Sequence, residues 1–437
     1  MVAADAFERV YWRQSASELK PFPPLHGDSR CDVTIIGGGI MGLACAIALR
    51  ERGVAVILLD AAQPGMGASG RNGGLVVPSL PRLGPLDVVR LLGEPHGYRL
   101  NAMVAGSAQR VFDTVARFGI ACEAEQAGWI NPAHGAGLVE GLQRRVADWQ
   151  AAGARSTWLD AVQTRDITGS PHYFGALFDA SGGHLNPLAY TRGLASVAQR
   201  LGAEVYGDST VENVARHGNR WRVDTASGRV SSDVILQCTN AMESAAKSSL
   251  SGDVQRSFVP LHVYQLASRK LTKAERATIL RTRSALSDTR NNLFACRYTA
   301  DHRLVTGGMA PMTHWRATQW LKPLLSGRMA KIFPQLDGIE FDFLWRGTAA
   351  LTPDFLPRLF QVAEGWFAPL GCNGRGIAMS TSIGATLANY VVDNDSGSLP
   401  LPITRAAPIA YHELARFAPQ WLLVPGMIQD SIRARVP

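Results

Sequence analysis

Apolar positions along the chain change period from segment to segment. Between Asp32 and Asp60 the residues run DVTIIGGG, then IMGLACAIALRERG, then VAVILLD. Unbroken β-branched runs suit strands buried on both faces of a parallel sheet, and Ala44, Ala46 and Ala48 let a helix lie close upon it, so the spacing predicts a βαβ unit. From about Pro85 to Asp179 the pattern is mostly helical, with amphipathic spacing at Val111 to Phe118 and Leu138 to Ala152, and reads as a separate lobe. Asn186-Pro187 marks a helix start for the segment to Leu201, and Ala203-Glu204-Val205-Tyr206 begins the next strand. Arg220 to Thr225 and Val234 to Cys238 read as strands returning to the first sheet. Pro260 to Gly308 is strand-rich, with Leu304-Val305-Thr306 before a Gly307-Gly308 turn. Trp366 to Leu370 reads as a last strand, entering Gly371-Cys372-Asn373-Gly374-Arg375-Gly376 and then a helix to about Val391. The tail after Asn394 reads as Pro-rich and irregular, with an apolar patch at Trp421-Leu422-Leu423-Val424. No internal repeat or low-complexity tract stands out.

The 437 residues, 46% of them hydrophobic, suffice for two or three lobes around one or two large cores. The first thirty carry charges and prolines where an export signal would need an apolar stretch. The longest apolar stretch, Ile40 to Leu49, is far short of the roughly 20 residues of a membrane span. Six cysteines without a CxxC pair suggest free thiols in a reducing cytoplasm, with no disulfide frame and no metal site. The net charge of +8 is spread along the chain without a basic run, which favours a solvated basic surface over an attraction for anionic substrate or lipid.

The chemistry sits in the glycine clusters. Gly37-Gly38-Gly39-Ile40-Met41-Gly42 fits GxGxxG and stands between an apolar strand and a helix. Gly37 permits the tight turn, Gly39 lets the backbone approach a pyrophosphate, and Gly42 lets the helix pack on the sheet. Asp60 closes the second strand about 20 residues on, where an acid can meet a ribose 2′-OH. A second cluster, Gly65 to Gly74, surrounds Ser69, Arg71 and Asn72 with glycines, as a backbone pressed against a flat, polar-edged ligand would require.

The runs GASGRNGG, IIGGGIMGL and GCNGRGIAMSTSIG resemble FAD-dependent oxidoreductases of the D-amino-acid oxidase superfamily, in the branch with γ-glutamylputrescine and pipecolate oxidases. The resemblance extends to GGHLNPLAYTRGLA, SDTRNNLFACRY, DHRLVTGG and LWRGTAALTPDFLPRLF, and so to nearly the whole chain. It implies a Rossmann-like FAD-binding domain and a substrate domain on a mostly antiparallel sheet. The expected division is 1–92, 185–250 and 350–437 for the former and 93–184 and 251–349 for the latter. It further implies that Gly37, Gly39 and Gly42, with Ile40 and Met41, cradle the pyrophosphate, and that Asp60, with Ala61, meets the adenosine ribose. Ser69, Gly70, Arg71 and Asn72, flanked by Ala68, Gly73 and Gly74, would line the flavin and its phosphates. Val211 would lie against adenine. Gly371, Asn373, Gly374, Arg375, Gly376 and Ile377, with Gly347, would follow the isoalloxazine, where the helix N-terminus faces the edge that gains negative charge on reduction.

Two departures matter. The stretch Arg346 to Asp354 lacks the cysteine through which sarcosine oxidase-like members bind FAD, and Cys372 does not match that position, so non-covalent FAD is expected. The lysine that holds a substrate carboxylate in sarcosine oxidases falls at Ala378. An arginine such as Arg297 must replace it if the substrate is an amino acid, and no anchor is needed for an amine or a γ-glutamyl amide. His262, Tyr264, Arg297, Tyr298 and Trp345, with Arg346, are candidates for the cavity wall, although each alone suits a core position as well. On that reading Arg297→Ala alters turnover and leaves FAD retention intact. Arg303 is expected to pair with Asp301 or Asp288. Of the lysines, only Lys270 and Lys273 lie near the segment where an oxygen-activating group would fall, so O2 or an electron carrier could reoxidise the flavin. The reading is a cytoplasmic enzyme that oxidises a C–N bond of an amine, cyclic imino acid or amino acid. The alternatives are a membrane-surface dehydrogenase feeding quinone, suggested by the charge and the Trp421 patch, and a flavoprotein acting on a modified tRNA base.

Overall fold

The computed structural model describes residues 10–241, 252–310 and 314–434, with backbone alone for 314–318. The division expected at 250/251 falls outside them. Val33–Ile36 forms a strand of four buried residues, the glycine turn follows, and Ile40–Glu51 is a helix leading to the strand Val56–Leu59. The two strands pair in parallel, Val33 opposite Val56 and Ile36 opposite Leu59. They sit inside a seven-stranded sheet in the order Ile403–Thr404, Arg358–Ala363, Trp366–Leu370, Val234–Gln237, Val33–Ile36, Val56–Leu59, Glu204–Tyr206. The five from Trp366–Leu370 onward run parallel.

Both faces of this sheet are covered, which is why its strands read as continuous apolar runs. Ile35, Leu58 and Leu236 face a core shared with the helices, whereas Ile36, Ile57, Leu59 and Ile235 face Val211, Val214, Trp221 and Val223. The helices Ile40–Glu51 and Gly376–Asp393 approach so closely that a methyl at Gly384 would come within 2.6 Å of the Met41 carbonyl oxygen. Asn186 caps the helix Pro187–Arg200, its side-chain oxygen accepting from the Leu188 and Ala189 amides.

Three sequence expectations change. Arg220–Thr225 does not return to the first sheet. It pairs antiparallel with Val211–His217 and Gly228–Ser232 in a separate four-stranded sheet, because a short turn joins it to the strand before it and hairpin pairing is local. The segment from Pro85 to Asp179 is not a separate lobe. Between its helices it supplies Trp129–Pro132, Ser156–Leu159 and Ala176–Asp179 to an eight-stranded sheet completed by Ala285–Ser287, Ala295–Tyr298, Arg303–Gly308, Val259–Lys270 and Phe341–Leu351. That sheet is antiparallel except where Ala285–Ser287 meets Trp129–Pro132. The tail is not irregular: it forms the helices His412–Ala415, Ala418–Trp421 and Leu423–Arg433. No helix among the described residues is long and apolar enough to cross a membrane.

Candidate active site

The first glycine turn is built as its spacing requires. Gly37 has φ +111°, and a methyl there would lie 2.8 Å from the Cys238 carbonyl oxygen; a methyl on Gly42 would run into the carbonyl oxygen of Gly37. Asp60 holds the turn from the end of the next strand, its carboxylate accepting from the Gly38 amide at 2.6 Å and the Ala62 amide at 2.8 Å. Burial raises the Asp60 carboxyl above its ordinary value, while these two amides oppose the rise. The Asp60 carbonyl accepts from Ser209, which places Val211 two residues beyond the same corner.

The second glycine cluster meets the first through Ser69, whose Oγ accepts from the Ile40 amide at 3.0 Å. Its fold is set internally. Asn72 Nδ2 donates to the Ala68 and Ser69 carbonyls, and its Oδ1 accepts from the Gly74 amide. Arg71 Nε donates to the Met66 carbonyl at 2.8 Å. The third cluster is fixed by Asn373, whose Oδ1 accepts from the Thr352 amide at 2.9 Å while its Nδ2 donates to the Gly371 carbonyl.

The second and third clusters face each other across a cavity of about 1280 Å³. Its walls include Ala68, Arg71, Asn72 and Gly73, then Gly347 and Thr348, then Asn373 to Ile377. Gly376 and Ile377 open the helix Gly376–Asp393, so its positive end lies at this cavity. Hydrogen bonds link Ser209 to Asp60, Asp60 to Gly38 and Ser69 to Ile40, so the first two glycine clusters are joined, and the second and third share the cavity. The chemistry of these groups suits a flavin dinucleotide: glycines that let a ligand approach the backbone, an acid beside the first turn, and a helix N-terminus at the cavity.

None of the six side chains expected on the cavity wall lines it, and for His262 and Tyr264 the reason is strand parity. Along Val259–Lys270 the cavity face carries Val259, Leu261, Val263 and Gln265, so His262 and Tyr264 point the other way. They border a minor second pocket instead, and His262 Nδ1 lies 3.0 Å from Thr348 Oγ1. Trp345 is buried behind the second glycine cluster, with Nε1 donating to the Arg71 carbonyl at 2.8 Å. Tyr298 donates to the Ile279 carbonyl in a core packed on the eight-stranded sheet, with Leu266, Leu286 and Phe294.

Arg297 is 1% exposed, and its guanidinium donates to the carbonyls of Gly73, Leu185 and Tyr298 at 2.9, 2.7 and 2.8 Å. It also stacks on Trp12, 4.3 Å from the ring centre. Its guanidinium is therefore held by main-chain carbonyls beneath the second glycine cluster and does not line the cavity, so a carboxylate anchor must be sought elsewhere. Arg303 pairs with Asp301 as expected and also with Asp342; Asp288 pairs with Arg290.

The cations that reach the cavity were not singled out for a substrate. Arg375 lies in the third cluster, donates to Ser287 Oγ at 3.3 Å and sits 5.4 Å from the centre of the Trp129 ring. Burial pulls its guanidinium down to about 10, and neighbouring Arg145 adds to the fall. No carboxylate among the described residues forms an ion pair with it. Gln265, between Gly73 and Gly307, and Asn131, whose Nδ2 donates to the Ser287 carbonyl, add to a polar lining that also includes Arg71, Arg145, Asp288 and Arg290. Parity along the strand would have found Gln265; Asn131 and the tail residues arrive from distant sequence and leave no local signal.

The chain shares 28% identity over 383 residues with the gamma-glutamylputrescine oxidoreductase of Escherichia coli strain K12, 87% of this chain and 88% of that one. It shares 26% identity over 389 residues with a probable oxidoreductase, OrdL, of Haemophilus influenzae, 89% of each. The glycine oxidase structure from Geobacillus kaustophilus superposes with a TM-score of 0.67 at 20% identity, over 84% of this chain and 96% of that one, and so shares the fold. The profile of the DAO family, described as FAD dependent oxidoreductase, matches residues 32–390, and the chain belongs to that family.

Proposed function

We propose that the cavity holds the isoalloxazine ring of a non-covalently bound FAD beside an amine or amino-acid substrate, and that the enzyme oxidises a C–N bond of that substrate to an imine. The observation that carries this reading is the convergence of the Gly73, Gly347 and Gly374 backbones on a single cavity that also contains the Arg375 guanidinium. Gly37, Gly39 and Gly42 would hold the pyrophosphate, Asp60 the ribose, and the backbone at Val211 the adenine. Bound FAD supplies the two-electron acceptor for the hydride that leaves the carbon next to nitrogen. The imine is hydrolysed by water, and O2 or an electron carrier restores the cofactor.

The protein contributes orientation and a dry, positively biased chamber. Arg375 offers two donors to a substrate carboxylate where one is present, taking the part expected of Arg297. Among the described residues no histidine or cysteine lines the cavity. This supports a non-covalent cofactor. The thiols support a reducing compartment: all six cysteines are free, five of them buried.

Anaerobic titration of the flavin-loaded protein with amines and amino acids is the test. Loss of flavin absorption with members of the panel is expected. Retention of oxidised flavin with every one of them, under conditions where dithionite reduces it, overturns the reading.

A further inference from the structure

The family match ends at residue 390, yet one wall of the cavity is built from residues beyond it. In the helix Leu423–Arg433 the residues Val424, Ile428 and Ile432 recur every four positions and form one stripe. They line the cavity while remaining 49%, 58% and 58% exposed. Leu422, Leu293 and Phe355 extend the same apolar surface. The helix is firmly seated. On its other side Asp430 accepts from the Asn291 and Asn292 amides at 3.0 and 3.2 Å and from Asn291 Nδ2 at 2.9 Å, and Leu423 is buried. At its far end the Arg433 backbone lies against Gly135 so closely that a methyl on Gly135 would strike its carbonyl oxygen.

A fixed stripe of branched aliphatic side chains, exposed to the same chamber as Gly73 and Arg375, needs an apolar occupant to leave water. Resting on the substrate reading above, we propose that this stripe is a specificity subsite for an alkyl or aryl substituent of the substrate. The enzyme then prefers amines or amino acids with an extended apolar group over small ones such as glycine. Continuity with the flavin-side cavity favours this occupant over a membrane surface.

The test uses binding to the flavin-loaded enzyme, followed by the change in flavin absorption, with linear carboxylates and linear primary amines of two to eight carbons. Each methylene placed on the stripe should tighten binding roughly four-fold until the subsite is filled. Ile428→Asp combined with Ile432→Asp should flatten that slope and leave FAD content unchanged. Because both positions are more than half exposed, the variant should fold; a matched Ile428→Val, Ile432→Val control should keep most of the slope. Affinity independent of chain length, an equal slope in the Asp variant, or no binding by either series overturns the subsite. So does flotation of the wild type with anionic vesicles that is lost in the Asp variant, because the stripe then serves a lipid surface. Bleaching by small amines without a chain-length slope would defeat the subsite and spare the amine-oxidising reading; a slope without bleaching by any amine would do the reverse.

Discussion

Replacing Arg297 by Ala separates two roles that make opposite demands on the molecule. In the structure its guanidinium satisfies three main-chain carbonyls, two of these bonds fully buried, and one recipient is Gly73 of the second glycine cluster. Leaving a buried acceptor unpaired costs roughly 1–3 kcal/mol. Water entering the vacated space can re-pair part of the set, so the expected loss is about 3–5 kcal/mol of stability rather than the full sum. The neighbouring Gly74, at φ +77°, packs directly against this guanidinium, so the loop itself should loosen. FAD should then dissociate at least about ten-fold more readily, equivalent to roughly 1.4 kcal/mol. Urea unfolding followed by tryptophan fluorescence, with flavin content measured after gel filtration, reads both effects. Arg297→Lys should recover part of the stability, since an ammonium has donors but not the planar fork. Unchanged stability and flavin content, combined with weaker binding of carboxylate ligands, would refute this reasoning and restore Arg297 as a substrate anchor.

Asp60→Ala removes the acceptor that holds Gly38 and Ala62, and should weaken FAD binding about ten-fold or more in reconstitution of the apoprotein; Asp60→Asn should be nearly as poor, because an amide has one acceptor oxygen where the carboxylate has two. Gly74→Ala combines a left-handed backbone with a collision against Arg297 and the Leu185 carbonyl, and should lower stability by about 2 kcal/mol or more in the same urea assay. A pH series tests the buried histidines. Burial and Arg297 lower His184 to about 3, and burial and Arg290 lower His134 to about 4. Both stay neutral in the fold, whereas in the unfolded chain they take up protons below about pH 6.5. The unfolded state therefore binds more protons through this window, and stability should be fully present above about pH 6.5. It should fall as the pH drops toward 4, by up to about 3 kcal/mol per histidine. His184→Gln should flatten the slope of the urea midpoint against pH; an equal slope would remove His184 as its source.

The parts of this molecule legible in its sequence are those in which local spacing and burial coincide. The βαβ unit could be read because both faces of its sheet are covered, giving unbroken apolar runs, and because a glycine turn can serve one geometry there. The helix after Asn186-Pro187 announced itself through its cap. The substrate side was illegible for a different reason. In Val259–Lys270 both faces carry plausible residues, and a choice of parity that put His262 and Tyr264 in the cavity moved every side chain to the wrong side. Arg297 looked like an anchor because a buried arginine needs acceptors, and sequence does not say that main-chain carbonyls 224 and 112 positions away supply them. The tail's prolines concealed its helices, the last of which is held by the loop Asn291-Asn292 on which Asp430 rests.

The central claim is that three separated backbone turns close around one flavin. A diffraction structure of the protein saturated with FAD tests it most directly. The account predicts the isoalloxazine between Gly73, Gly347 and Gly374, with the diphosphate along Gly37 to Gly42 and the ribose at Asp60. Density for the ring outside that chamber, or for a cofactor that leaves Asp60 and the first glycine turn untouched, would contradict it.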